Sequence, residues 1–381
     1  MDPADLDSTD ASAISVADSE ARPQTRDGAL LAALREQLRT PDLDWAEPPR
    51  PLARGAESIV LDLSLKRLGN EPAPPLVVRL LQAEEPGQVR REAAVQGALA
   101  ALGFPAPRPI ANGEGTPGIL QPFLVMERTP GRVLFSLLPA LVLITIALFA
   151  LQLAIVSLLV WIPWFVLPVL LQRKLHGLPV AELERALADR GLDPKELGLA
   201  ERFARLERQL EHAELRGLKP GLAWLRANTP AGPNNTVLCH GDYWAGNILV
   251  GFKGVTGLID WSNATLAAPE YDLGWSRVQD TGDLPTAHDL GEPWRSRLGA
   301  LWHPFAWIGM RPHCWLYRRF GSLDTKALDY YTAFHCMRIL AWSHEQEAAA
   351  DGAANLWSSP RARALVTSRF ARITGVDLGY G

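Results

Sequence analysis

"VLCHGDYWAGNILVGFKGVTGLIDW", residues 237–261, sets an acid, Asp242, five positions before an amide, Asn247, in a loop that runs directly into the apolar "ILV". The spacing predicts a strand at Ile248–Val250, a Gly-containing turn at "GFKG", and a second strand at Val255–Ile259 with Asp260 at its end. The segment therefore reads as a hairpin with a carboxylate before its first strand and another after its second.

Transfer of a phosphoryl group to a hydroxyl asks for a carboxylate to accept the hydroxyl proton. It also asks for an amide oxygen and a second carboxylate to hold magnesium on the nucleotide phosphates. Asp242, Asn247 and Asp260 supply that set. The protein-kinase loop H-R-D-x-x-x-x-N has the same Asp-to-Asn spacing, and its metal-holding Asp also follows on a strand.

In "HGDYWAGNILV" and "LIDWSNATLAAPEYDLGW" the sequence resembles the aminoglycoside phosphotransferase and choline kinase family, from about residue 50 to just past Tyr271, apart from an apolar insert. The resemblance implies an α+β, two-lobed protein-kinase-like fold. Its small N-lobe would be an antiparallel sheet plus a helix, and its larger C-lobe mainly helical. It implies ATP and Mg²⁺ as cofactors and a small-molecule hydroxyl as acceptor. Asp242 would be the catalytic base, with Asn247 and Asp260 as metal ligands. His240 and Asp272 would support the catalytic loop.

The small lobe carries weaker signals. Strands are expected in "LARGAESIVLDLSL", "PPLVVRLL" and "FLVMERTPG", and an amphipathic helix in "QVRREAAVQGALAALG" that ends at Gly103 with Pro105 beyond. By the resemblance "RGAESIV" falls at the phosphate-covering turn, so Gly55 and Ser58 are candidates, although one Gly without G-x-G-x-x-G also fits a plain hairpin turn. Arg79 occupies the strand position where kinases carry a phosphate-binding Lys, and Glu92 on the next helix would be its partner. An ordinary surface ion pair is the alternative. Arg offers a planar fork where Lys offers a point charge, so this position departs from the kinase pattern. Met126, Glu127 and Arg128 would form the interlobe hinge, with backbone groups meeting adenine.

Residues 133–172, 40 in all, carry no charge and are rich in Leu, Ile, Val and Phe. As helix they would reach about 60 Å at about 1.5 Å per residue, twice the roughly 30 Å of a hydrocarbon core. The expectation is a hairpin that crosses a membrane twice. Arg128, Arg132, Arg173 and Lys174 flank it, which places both ends, and the catalytic lobes, on the cytoplasmic face. A helical hairpin buried inside the fold and a re-entrant insertion kinked at Pro139, Pro163 or Pro168 are the alternatives.

The expected organisation is an acidic disordered tail at 1–28, a nucleotide-binding lobe at 29–132, the insert at 133–172, and a catalytic and acceptor lobe at 173–381. The 381 residues are 48% hydrophobic with a formal net charge of −4, which supplies no basic field for nucleic acid. Three widely spaced cysteines without a C-x-x-C pair argue against a disulfide framework and a structural zinc site. The aromatic "WHPFAWIGMRPHCWLYRRF" at 302–320 reads as core packing, or as an interfacial surface built on Trp315, Arg318 and Arg319. The reading from the residues is an ATP- and Mg-dependent kinase of a small, lipid-soluble or soluble alcohol. Two rivals are a non-catalytic nucleotide-binding module at a membrane and a soluble antibiotic or metabolite kinase with a buried hairpin.

Overall fold

The computed structural model describes residues 26–54, 58–66, 73–81, 87–115, 119, 121–150, 154–211, 213–230, 235–279, 313–319, 321–348 and 360–379. Gly55, His303 and nearly all of the 1–28 segment lie outside them. The chain divides into two compact units, one of Met1–Ala93 with Pro107–Arg128 and the other of Ala94–Ala106 with Thr129–Gly381.

The first unit is a five-stranded antiparallel sheet of β1 (Trp45–Arg54), β2 (Ser58–Leu65), β3 (Leu76–Leu81), β4 (Pro109–Gly113) and β5 (Phe123–Glu127), in the order β1-β2-β3-β5-β4. β1 begins at Trp45, well before the expected hairpin, and β4 has no strand-like run in "PIANG" to announce it. The central strand β3, "LVVRLL", is buried at every position. Its alternate residues therefore serve two cores. Leu76, Val78 and Leu80 join Leu30 and Leu34 of α1 (residues 26–37), while Val77 and Leu81 meet Val89 and Ala93 of α2 (Gln88–Ala101). Arg79 shares the face of Val77 and Leu81, which aims it at α2 and Glu92.

The second unit is mainly helical. It holds a short sheet of β6 (Arg132–Val133), β8 (Ile248–Gly251) and β9 (Gly254–Leu258), and a pair formed by β7 (Val237–Cys239) and β10 (Thr265–Ala267). Its helices are α3 (Leu138–Ala150), α4 (Ala154–His176), α5 (Val180–Ala188), α6 (Leu199–Gln209), α7 (Lys219–Ala227), α8 (Glu270–Gln279), α9 (Thr325–Ala348) and α10 (Pro360–Thr374). α8 and α9 form the main core with Tyr271, Trp275, Tyr331 and Phe334.

The apolar insert folds as the helical hairpin α3–α4, tied by Trp161 Nε1 donating to Thr145 Oγ1 at 2.9 Å. The expected pair of membrane crossings is not supported: among the described residues no helix is long and apolar enough to cross a membrane. The 13 residues of α3 reach about 20 Å, short of the roughly 30 Å required. α4 is longer, but Val169, Leu171, Gln172, Leu175 and His176 at its C-terminal end are buried. Hydrophobicity read along the chain could not separate lipid from protein as the solvent for that arm, because both accept Leu and Val. The polar Gln172 and His176 at its base mark the protein-packed part.

Candidate active site

Asp242 and Asn247 are brought together by the loop between β7 and β8. Asn247 Nδ2 donates to the Asp242 backbone oxygen at 2.8 Å and to Asp242 Oδ2 at 3.0 Å. The bend needs glycine twice. Gly241 has φ +79°, and a Cβ there would lie 2.0 Å from the Asn263 carbonyl oxygen; a Cβ on Gly246 would lie 2.1 Å from the Trp244 ring. Gly241→Ala should therefore cost at least about 1–2 kcal/mol for the left-handed backbone alone. It should also displace Asp242, so urea unfolding and turnover would fall together.

Asp260 follows β9 with φ +66°, in the left-handed region that a non-glycine residue rarely occupies. Such strain costs of order 1–3 kcal/mol and persists where surrounding contacts fix it. Here Ser262 Oγ donates to Asp260 Oδ1 at 2.9 Å, and Ile259 N donates to the Asn247 carbonyl at 2.9 Å. The second contact fastens the residue before Asp260 to the catalytic loop.

His240 joins the same pieces. Its Nε2 donates to the Ile259 carbonyl at 2.9 Å, and its Nδ1 accepts from Asp242 N at 3.3 Å. Burial lowers its pKa, which keeps the ring neutral with one nitrogen donating and the other accepting. Both nitrogens are thus occupied by the backbone.

Asp272, on α8 and wholly buried, accepts His240 N at 2.9 Å on Oδ2 and Gly241 N at 2.7 Å on Oδ1. Oδ2 also accepts from His176 Nε2 at 3.0 Å. Burial raises its pKa, but the His176 hydrogen bond and charge, His240 and the Gly241 N–H outweigh that, and the carboxyl lies below its ordinary 3.8. His176, Cys239 and Asp272 have metal-capable atoms within 4.8 Å of one another. Hydrogen bonds already use them: the His176 ring takes Asp272 and the Tyr317 hydroxyl, and the Cys239 thiol meets the Ala268 carbonyl at 3.3 Å. Burial pushes the Cys239 pKa well up, so it stays a thiol.

Two contacts from the insert were absent from the sequence reading. Tyr243 of the catalytic loop donates its hydroxyl to the Pro168 carbonyl of α4 at 2.5 Å, and His176 ends the same helix. Pro168 had no visible partner in the sequence, and a His just beyond Arg173 and Lys174, which close the uncharged run, was the one available signal for α4 reaching the loop.

In the first unit Arg79 Nη1 meets Glu92 Oε1 at 2.8 Å and Oε2 at 3.1 Å, and Nε donates to Ser58 Oγ at 3.1 Å. All three are buried, so this is no surface ion pair. Met126 and Glu127 end β5, and Arg128 reaches the two Asp62 oxygens at 3.1 Å.

Residues 50–313 match the phosphotransferase enzyme family. The chain belongs to that family. A solved phosphotransferase of like fold, a Ralstonia eutropha JMP134 protein assigned to the aminoglycoside phosphotransferases, is 20% identical with TM-score 0.55, covering 91% of this chain and 98% of its own. At that identity the likeness carries the kinase-like fold alone. Acyl-CoA dehydrogenase family member 11 of Pongo abelii is 29% identical over 193 residues, 49% of this chain and 22% of that protein. Its Homo sapiens counterpart is 29% identical over the same share. This phosphotransferase chain thus spans about a fifth of those relatives.

The donor set of the second unit fits magnesium, a hard cation that takes carboxylate and carboxamide oxygens. Asn247 directs its amide nitrogen at Asp242, which leaves the oxygen end of the amide for another partner.

Proposed function

We propose that this phosphotransferase moves the γ-phosphate of ATP to a hydroxyl of a small molecule, with Asp242 as the base and Mg²⁺ held by Asn247 and Asp260. One observation carries the reading: a carboxylate and a carboxamide are locked together by the Asn247–Asp242 hydrogen bond, in a loop whose His240 and Gly241 N–H groups are held by Asp272 and whose His240 ring and Asn247 carbonyl bind Ile259, the residue preceding a second carboxylate. Bound magnesium would neutralise charge on the phosphates. Asp242 Oδ would take the acceptor hydroxyl proton as the oxygen attacks. The tie from Asn247 orients that carboxylate, and the Asp272 contacts keep the loop from swinging away.

Arg79 and Ser58 are assigned to nucleotide phosphates in the first unit, with Arg79 replacing the usual Lys and Glu92 positioning it. Arg79→Ala would leave the Glu92 carboxylate buried without its cation, and losing one partner of a buried pair costs about 3–5 kcal/mol. Denaturant unfolding should show that loss, with a raised KM for ATP. Arg79→Lys should lie between, since it restores charge without the fork.

We place the catalytic lobes at the cytoplasmic face of a membrane, touched and not crossed. What supports this is the exposed apolar surface of α3–α4, where Leu143 and Leu159 are 66% and 57% exposed beside Ile144, Ile162 and Leu170. Patches of that kind mark interaction sites. The dehydrogenase in the relatives' name is not carried over, because the matched region is 22% of their length.

Incubation with γ-labelled ATP, magnesium and a lipid-containing extract, followed by phase partition, tests the assignment. Label in an organic-phase product assigns a lipid-soluble alcohol, label in a new aqueous ester assigns a soluble one, and no transfer in either phase removes the kinase reading.

A further inference from the structure

Helices α8 and α9 face each other through five side chains that the catalytic chemistry above does not use. α8 contributes Tyr271 and Trp275, one turn apart, and α9 contributes His335, Arg338 and Trp342 along one face. Four of them are contiguous, with Trp342 one turn beyond Arg338 on α9: the Tyr271 and His335 rings are 4.5 Å apart, those of Trp275 and His335 5.6 Å, and Arg338 Cζ lies 4.4 Å from the Trp275 ring centre.

Four polar atoms among them are buried and unspent. Tyr271 Oη, His335 Nδ1, Arg338 Nη1 and Trp342 Nε1 have no hydrogen-bond partner. One such atom is ordinary, but four on one helix–helix face are not, since native proteins leave few buried polar groups unpartnered. Arg338, half-buried, has in addition no carboxylate ion pair among the described residues, and its guanidinium lies over the Trp275 ring.

The hydrogens fix the kind of ligand. His335 Nε2 donates to the Tyr271 carbonyl at 2.8 Å, which leaves Nδ1 as an acceptor, and burial first, then Arg338, keeps the ring neutral. Arg338 and Trp342 can only donate, and the Tyr271 hydroxyl can do either. Three donors around one unmatched positive charge, with one acceptor beside them, fit an anion that also carries a hydroxyl. α8 links this cluster to the reaction: Asp272, next to Tyr271, holds the backbone of His240 and Gly241, adjacent to Asp242.

We propose that the α8–α9 cluster of Tyr271, His335, Arg338 and Trp342 binds the anionic group, carboxylate or phosphate, of a hydroxyl-bearing acceptor. This rests on the kinase reading for the word acceptor, while the anion site stands on its own geometry. It selects against polycationic acceptors such as aminoglycosides, which would meet Arg338 with like charge.

The test is saturation-transfer NMR without nucleotide, titrating two matched pairs: glycolate against ethylene glycol and glycerol 3-phosphate against glycerol. Wild type and Asp242→Asn should bind one or both anions at least tenfold more tightly than the neutral partner, and the responding pair tells carboxylate from phosphate. Arg338→Met, which keeps the bulk over Trp275, should lose at least tenfold for the anion and nothing for the neutral compound. Trp342→Phe, which removes one N–H and keeps the fold, should lose severalfold. Equal binding of anion and neutral compound by wild type, undiminished anion binding by both variants, or no binding of any of the four would overturn the site. Anion binding without any phosphoryl transfer would leave the site and remove only the kinase reading.

Discussion

Asp242→Asn is expected to lower kcat for phosphoryl transfer by about 10²–10⁴, the usual contribution of a positioned general base. Asparagine has the same size, and its carboxamide oxygen can still accept from Asn247 Nδ2, which now meets Asp242 Oδ2 at 3.0 Å. The loop therefore keeps its shape and loses the basic oxygen. Nucleotide affinity, which the proposal assigns to residues other than Asp242, should stay within about twofold, since no proposed interaction with the phosphates is removed. Measured turnover and nucleotide titration of the two proteins side by side separate those effects. A parallel collapse of nucleotide binding would mean that Asp242 serves the metal and not the hydroxyl.

Asp272→Ala is expected to lower stability by about 3–5 kcal/mol, because a fully buried charged group vanishes from a satisfied network. Three donors, His240 N, Gly241 N and His176 Nε2, would be left without their acceptor. Denaturant unfolding would register the loss, and activity should fall with it as the loop loses its anchor. The pH dependence has a definite sign. The Asp272 pKa lies below 3.8 in the folded state, so its contribution is fully present above the unfolded value and disappears as pH falls through the folded one. Wild-type stability should therefore drop more steeply below about pH 4 than that of Asp272→Ala. Parallel acid curves for the two would contradict the network.

The hairpin carrying the acids was legible because three local signals agree there: alternating apolar residues, glycines at the turn, and acids at fixed spacing. β8 and β9 fall within a residue or so of the expected strands. The Arg79–Glu92 pair was expected from the resemblance, and β3 shows how it forms, since Arg79 lies on the face of "LVVRLL" toward α2. β1 and β4 were not, because "WAEPPRPLAR" and "PIANG" carry prolines that mask strand character and take their order from neighbours. Two membrane crossings were expected of the insert because its composition suits any apolar surroundings, and only tertiary contacts such as Tyr243–Pro168 reveal protein as the surroundings of the C-terminal end of its second arm. The α8–α9 cluster was invisible for a related reason. Its members lie more than 60 positions apart, and nothing in "EYDLGW" or "FHCMRILAW" tells that their polar atoms lack partners.

The measurement that bears most directly on the assignment is ³¹P NMR of ATP and magnesium with the protein and an acceptor-containing extract, run in parallel with Asp242→Asn. The geometry predicts that the γ resonance gives way to ADP and a new phosphomonoester signal in the wild type, and that the variant leaves ATP intact. Conversion to inorganic phosphate alone, or the same phosphomonoester from the Asp242→Asn protein, would contradict transfer to a hydroxyl with Asp242 as its base.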